Sequence, residues 1–167
     1  LLTLSFDRSL EQKAGYRFYR PTFLTGTDQH GILFLALSNR DSGSIIEIDA
    51  NFNYSSIRRR SSEKIVMPMA AVFGAGELWV TDYSRDLIHR MKNEKNALYR
   101  IFAGLDPVGS KGSGQLQFHG PAGICYYKDA FYAADSGNNR IQKISPDGKF
   151  ILEFKELQSG NYLNKPF

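Results

Sequence analysis

The chain has 167 residues, 42% of them hydrophobic and 23% charged, and its 12 Phe, 9 Tyr and 1 Trp give more apolar surface than a disordered segment carries. No apolar run approaches the roughly 18 residues of a membrane span, and a single cysteine, Cys125, excludes an intrachain disulfide framework. The net charge of +4 is spread along the chain and not gathered in an arm, so it permits nucleic-acid binding without arguing for it.

Residues 1–6 read as an outer β-strand, followed by a loop to residue 20. They lack an initiator Met, a basic region and a long apolar run, and so resemble the interior of a chain more than a signal peptide. From Pro21 onward the sequence repeats. Pro21, Pro68, Pro121 and Pro166 are 47, 53 and 45 residues apart, and self-similarity at this period marks units of one supersecondary element each. In the unit 21–67, Gly31-Ile32-Leu33-Phe34-Leu35-Ala36 supplies the apolar run and Ser38 takes the place of an aspartate. In the unit 68–120, Pro68-Met69-Ala70-Ala71-Val72 leads to Gly76-Glu77-Leu78-Trp79-Val80-Thr81-Asp82 and then to Leu87-Ile88-His89-Arg90. In the unit 121–165, Pro121-Ala122-Gly123-Ile124-Cys125 leads to Asp129-Ala130-Phe131-Tyr132-Ala133-Ala134-Asp135 and then to Arg140-Ile141-Gln142-Lys143. Both aspartates fall 14 residues after their proline. Residues 166–167 open a further unit.

Each unit reads as four short strands. In the third they are predicted at 123–127, 130–134, 140–145 and 150–154, divided by polar turns at Lys128-Asp129, 135–139 and Pro146-Asp147-Gly148. The last turn has a mechanism: proline fixes φ, aspartate accepts local hydrogen bonds and glycine tolerates positive φ. Gly137 and Asn138 are expected to supply the left-handed residue of the turn after Asp135. Asp135 is expected to accept amide hydrogen bonds across its own turn. Cys125, within an apolar run, reads as a buried small hydrophobe. No stretch shows helical periodicity over a helix's length.

Four-stranded units of this length are propeller blades, and the third unit names a type. Phe118-His119-Gly120-Pro121-Ala122-Gly123-Ile124, followed by Phe131-Tyr132-Ala133-Ala134-Asp135-Ser136-Gly137-Asn138-Asn139-Arg140-Ile141, resembles the NHL repeat, and the glycine-rich approach 112–118 fits its inter-blade loop. The second unit keeps Pro68, Asp82 and Ile88 but has Leu87 where the family has arginine, and the first departs further. The resemblance implies an all-β fold: a partial β-propeller of three four-stranded antiparallel blades plus a preceding outer strand, one sector of a six-bladed ring. The rest of the ring comes from the same longer chain or from a second copy. The resemblance also makes Asp82, Asp135, Asn138 and Arg140 structural, with Arg140 pairing to acidic or carbonyl groups of its own or a neighbouring blade.

Some NHL-like propellers are metal-dependent lyases whose ligands recur at one repeat position. Here His30 stands 9 residues after its proline, His89 stands 21 after and His119 stands 2 before, so the three do not converge and read as surface or loop histidines. No nucleophile elbow, His-Glu-x-x-His motif or Walker loop is present, and 109–114 reads as a flexible inter-blade loop. No catalytic residue, metal ligand or cofactor is assigned. In a propeller, the turns between strands two and three share a face with the inter-blade loops, which gathers Arg40, Arg58, Arg59, Arg60, Lys64, Tyr83, Arg85 and Lys111 as candidate binding residues. The Arg58–Arg60 run is expected to end an outer strand, where charge also protects an edge. The resulting expectation is a non-catalytic scaffold that presents this face to a protein partner. The alternatives are a metal-dependent lyase or hydrolase completed by further blades, and single-stranded RNA binding on the basic loops, for which Tyr83 is the one clear stacking aromatic.

Overall fold

A computed structural model of the chain describes residues 21–25, 33–38, 43–48, 54–56, 58–59, 64–94, 101–156, 160 and 162–167. The expected outer strand at 1–6, Arg40, Arg60 and His30 lie outside them. The elements, in chain order, are β1 (Pro21–Thr25), β2 (Leu33–Ser38), β3 (Gly43–Ile48), β4 (Tyr54–Ser56), β5 (Arg58–Arg59), β6 (Pro68–Gly74), β7 (Glu77–Asp82), β8 (Leu87–Glu94), β9 (Ile101–Val108), β10 (Ser110–Lys111), β11 (Gln117–Phe118), β12 (Pro121–Tyr127), β13 (Ala130–Asp135), β14 (Arg140–Ile144) and β15 (Phe150–Phe154), with a 3-10 turn at Ser136–Asn138.

The strands form three antiparallel meanders, β1-β2-β3-β4, β6-β7-β8-β9 and β12-β13-β14-β15, as expected for successive blades. Each begins on its proline, because a residue without an N–H is tolerated at the first position of a strand. A register shift follows each proline. The tight hairpins use two-residue turns with positive φ at both positions: Ala75 and Gly76 (50° and 79°) in the second sheet, Lys128 and Asp129 (45° and 55°) in the third. These are the turns whose twist matches paired strands. In the turn after β14, Gly148 adopts φ 84° and its amide donates to the Ser145 carbonyl.

Neighbouring sheets pack face to face, and the alternation along β7 shows how. Leu78 and Val80 point into a core with Ile45, Ile65, Ala71 and Met91. Trp79, between them, points the other way into a core with Ile88, Phe118, Ile124, Phe131, Ala133 and Ile144. Both faces of β7 are therefore buried. The Trp79 and Phe131 rings stack across the second junction, with centroids 3.8 Å apart and planes 10° from parallel.

Several expectations need correction. In the first sheet the residue opposite Pro21 is Leu37, where Pro68 faces Asp82 and Pro121 faces Asp135; Leu37, and not Ser38, therefore occupies the aspartate position. The shift by one residue turns Ile45 into the first core, where it is buried. Arg58 and Arg59 do not end β4. They pair in parallel with Ile101 and Phe102 at the outer edge of the second sheet, making it five-stranded. The glycine-rich approach to Pro121 is built into the structure: β10 and β11 pair in parallel, and the Gly112 amide donates to the Phe118 carbonyl. Cys125 is exposed, on the face of the third sheet opposite its core.

Candidate binding face at the blade junctions

The face that carries the candidate residues is assembled by two aspartates, each at the end of a second strand. Asp82 is fully buried. One carboxylate oxygen accepts from the Val66 amide at 2.7 Å and from His89 Nε2 at 3.0 Å, and the other accepts from the Met67 amide at 3.0 Å. Burial alone would push its pKa up. The His89 hydrogen bond and the two amides outweigh that and hold it below the usual carboxylate value. Asp82 thus ties its own turn to the loop that enters its sheet. His89 is not a surface histidine; its ring is buried against this carboxylate.

Asp135 does the same work in the third sheet with a different partner set. It accepts from the His119 amide at 2.8 Å, from Asn138 Nδ2 at 2.9 Å and from Arg140 Nε at 2.8 Å. The amide it holds lies in the incoming loop and not across its own turn. The left-handed residue of that turn is Asn139 (φ 53°), because Ser136–Asn138 winds into a 3-10 turn first. Arg140 is 2% exposed. Its remaining nitrogens reach Glu153 Oε2 at 2.6 Å and the carbonyls of Ser113, Gly114 and Gln117 at 2.7–2.8 Å. One guanidinium therefore fastens the inter-blade loop to β13, through Asp135, and to the outermost strand β15, through Glu153. Lys155, Arg140 and the resulting hydrogen bonds hold Glu153 below its ordinary pKa despite partial burial.

Where Arg140 stands in the third sheet, the second has Leu87. Compensation comes from His89, seven residues after Asp82 as Gln142 is seven after Asp135; Gln142 Nε2 also reaches Asp135, at 3.3 Å. The repeat frame held this signal, because His89 and Gln142 share one position, but a histidine there does not read as a glutamine.

Tyr83, Lys64, Arg85 and Lys111 come together around this scaffold. The Tyr83 amide donates to the Met67 carbonyl at 2.9 Å, and Arg85 Nη1 donates to the Lys64 carbonyl at 3.0 Å. Asp86 bridges the second and third sheets: it accepts from the Gly120 amide at 2.8 Å, and Lys111 Nζ lies 3.9 Å from its other oxygen. Gly120 adopts φ 62°, and a Cβ there would meet the Tyr83 ring at 2.5 Å, so glycine is required on both counts. The Tyr83 ring lies over that backbone, 41% exposed. Lys64 and Lys111 are exposed as well. Asp82, Asp135, Asn138 and Arg140 lie beneath this surface as its fastenings. For Arg58 and Arg59 the structure describes backbone pairing only. Among the described residues no group of three or more His, Cys, Asp or Glu is placed to hold a metal, and no helix is long and apolar enough to cross a membrane.

No protein-family model matches the chain and no curated protein matches it. Solved structures do. Virginiamycin B lyase from Staphylococcus aureus superimposes with a TM-score of 0.59 at 18% identity, over 87% of this chain and 44% of that one. A luciferin-regenerating enzyme gives 0.64 at 12%, over 86% and 48%. An auxiliary nutrient binding protein from Bacteroides thetaiotaomicron gives 0.55 at 14%, over 81% and 37%. At these identities the likeness shows the fold, a β-propeller, and the chain spans less than half the length of each of these neighbours.

Proposed function

We propose that this chain is a sector of an NHL-type propeller and serves as a non-catalytic interaction module, presenting the face around Tyr83 to a protein partner. The observation that carries this reading is the exposed Tyr83 ring. It is braced by the Gly120 backbone and by its own amide bond to Met67, and it is flanked by Arg85, Lys64 and Lys111. A rigid tyrosine with an arginine beside it is the side-chain chemistry that dominates protein interfaces, because the aromatic ring loses little conformational freedom on binding. The acidic Asp86 within the same cluster favours a mixed-charge protein surface over a uniformly anionic strand. Function in a fold of this kind rests on the site and not on the architecture.

The test is a photo-crosslinking amino acid at position 83 in the full chain. It is expected to give a discrete adduct with one protein, while the same probe at Ile151, on the outer strand, gives none. A second expected outcome is loss of that adduct in Arg85→Ala. Failure of position 83 to crosslink any protein while short single-stranded RNA binds in a salt-dependent way would replace this reading with RNA recognition. A second reading rests on the enzymes among the structural neighbours: a lyase or hydrolase that uses a divalent metal in the propeller channel. Stoichiometric metal in the purified protein, removable by chelation, would favour it.

A further inference from the structure

The segment that enters the second sheet and the turn that leaves β7 hold each other in place, and what they hold is turned to solvent. The buried Asp82 carboxylate takes the Val66 and Met67 amides. That fixes residues 64–67, whose carbonyls are then used outward. The Lys64 carbonyl accepts from Arg85 Nη1 at 3.0 Å, and the Met67 carbonyl accepts from the Tyr83 amide at 2.9 Å. One buried anion therefore sets both Tyr83 and Arg85 before any partner arrives.

Three cations accompany the ring with little to neutralise them. Among the described residues Arg85 makes one side-chain hydrogen bond, through Nη1. Its Nε–Nη2 edge, the pair of donors that matches a carboxylate, has no acceptor among them. Lys64 is exposed, and its ammonium pairs with no described residue. The Lys111 side chain is 79% exposed and meets only Asp86, at 3.9 Å, which is beyond a hydrogen bond. Asp86 is buried, and its other oxygen accepts the Gly120 amide. The acidic group of this cluster thus lies beneath the surface and the basic groups lie on it.

We propose that the partner's docking segment is acidic: one carboxylate seats on the Nε–Nη2 edge of Arg85, a second reaches Lys111, and a neighbouring apolar or planar side chain lies against the Tyr83 ring. This rests on the interaction reading of the face and names the partner's chemistry. A carboxylate at Arg85 gains two parallel bonds from a guanidinium that is already oriented. The exposed lysines steer the approach more than they hold the complex. Asp86 stands beneath Lys111, so a continuous row of anions would be pressed against a carboxylate that the Gly120 amide keeps in place. Carboxylates spaced by neutral residues meet the same surface without that repulsion.

The probes are short synthetic peptides, each with a Phe and a pair of Glu at varied spacing, and each matched by a twin with Gln in place of Glu. Against the full chain, Glu members are expected to bind about tenfold tighter than their twins at low salt and to lose most of that advantage at about 500 mM NaCl. Arg85→Lys keeps the charge but not the fork, and is expected to weaken binding of the Glu members about tenfold. Lys111→Gln is expected to weaken it about threefold, chiefly through the association rate. Lys149→Gln, at the opposite end of the strands where its ammonium pairs with Asp147, is expected to leave it unchanged. Trp79 emission reports that each variant is folded. Equal binding of Glu members and Gln twins, or none, would overturn the proposal, as would an Arg85→Lys chain that binds like the parent. If the crosslinker at position 83 captures one protein while the acidic peptides bind no better than their twins, the interaction reading stands and the acidic partner falls. Capture of no protein at position 83, with RNA bound instead, removes both.

Discussion

Arg140 has no room for a neighbour's error. Its guanidinium is buried among two carboxylates and three carbonyls, and each of those groups was desolvated in its favour. Replacing it with Met keeps much of the volume but leaves Asp135 facing the amides, Asn138 and Gln142 without its main cation. The expected loss is about 3–5 kcal/mol, read as a lowered urea midpoint. Arg140→Lys is expected to recover less than half of it, because a point ammonium cannot span the carboxylates and carbonyls together. Asp82 makes the parallel case with a sign that can be checked. Its pKa lies below the ordinary value in the folded state. Its stabilising contribution is therefore complete above the unfolded carboxylate's pKa and is lost as pH falls through the lower folded value. Asp82→Asn is thus expected to cost most near pH 7, with the gap from the parent protein narrowing below about pH 4. Chemical denaturation of both proteins across that range reads it directly.

At the scale of the element, the two-residue hairpins ask for left-handed backbone at both positions, and at the first of them neither uses a residue that adopts it easily. Ala75 and Lys128 stand at φ 50° and 45°, where a side chain costs roughly 1 kcal/mol. Replacing Lys128-Asp129 with Asn-Gly is expected to raise stability by about 0.5–1 kcal/mol, less the small loss of the Tyr126 hydroxyl bond to Asp129. The check is the thermal midpoint, with Tyr127 and Ala130 amides retaining their pairing. These turns also show what the sequence could carry. The four strands of the third sheet were legible to within two residues at each end, because proline, the polar turn pairs and the alternation all agreed on one frame. The first sheet slipped, since Ser38 is the polar residue but Leu37 is the one opposite Pro21; polarity alone does not fix a register. The parallel pairing of Arg58–Arg59 was not legible at all, because two residues carry no periodicity. At the site, the loop rule brought Tyr83, Arg85, Lys64 and Lys111 together. The role of His89, which organises the same region, was not legible, because the histidines were compared with one another and not with Gln142, which stands seven residues after Asp135 as His89 does after Asp82.

Across the whole molecule, the two cores each join only adjacent sheets. Stability in such an array is a sum of sheet terms and neighbour terms, and a weakened junction lets one end open before the rest. The junction between the second and third sheets rests on the Trp79–Phe131 stack, on Thr81 Oγ1 donating to the Ala122 carbonyl at 2.5 Å, and on Arg90 reaching Glu77 and the Pro146 carbonyl at 3.0–3.1 Å. Phe131→Ala removes the stacked ring from a fully buried position, at an expected cost of about 3–5 kcal/mol. That exceeds what the polar contacts of the junction contribute, so the loss should appear first as separation of the third sheet. Hydrogen exchange is expected to quicken in β13 and β14 while β7 and β8 keep the protection they draw from the core with Ile45 and Ile65. Uniform acceleration in all four strands would mean that the sheets open as one unit, and the array would then have to be treated as a single cooperative body.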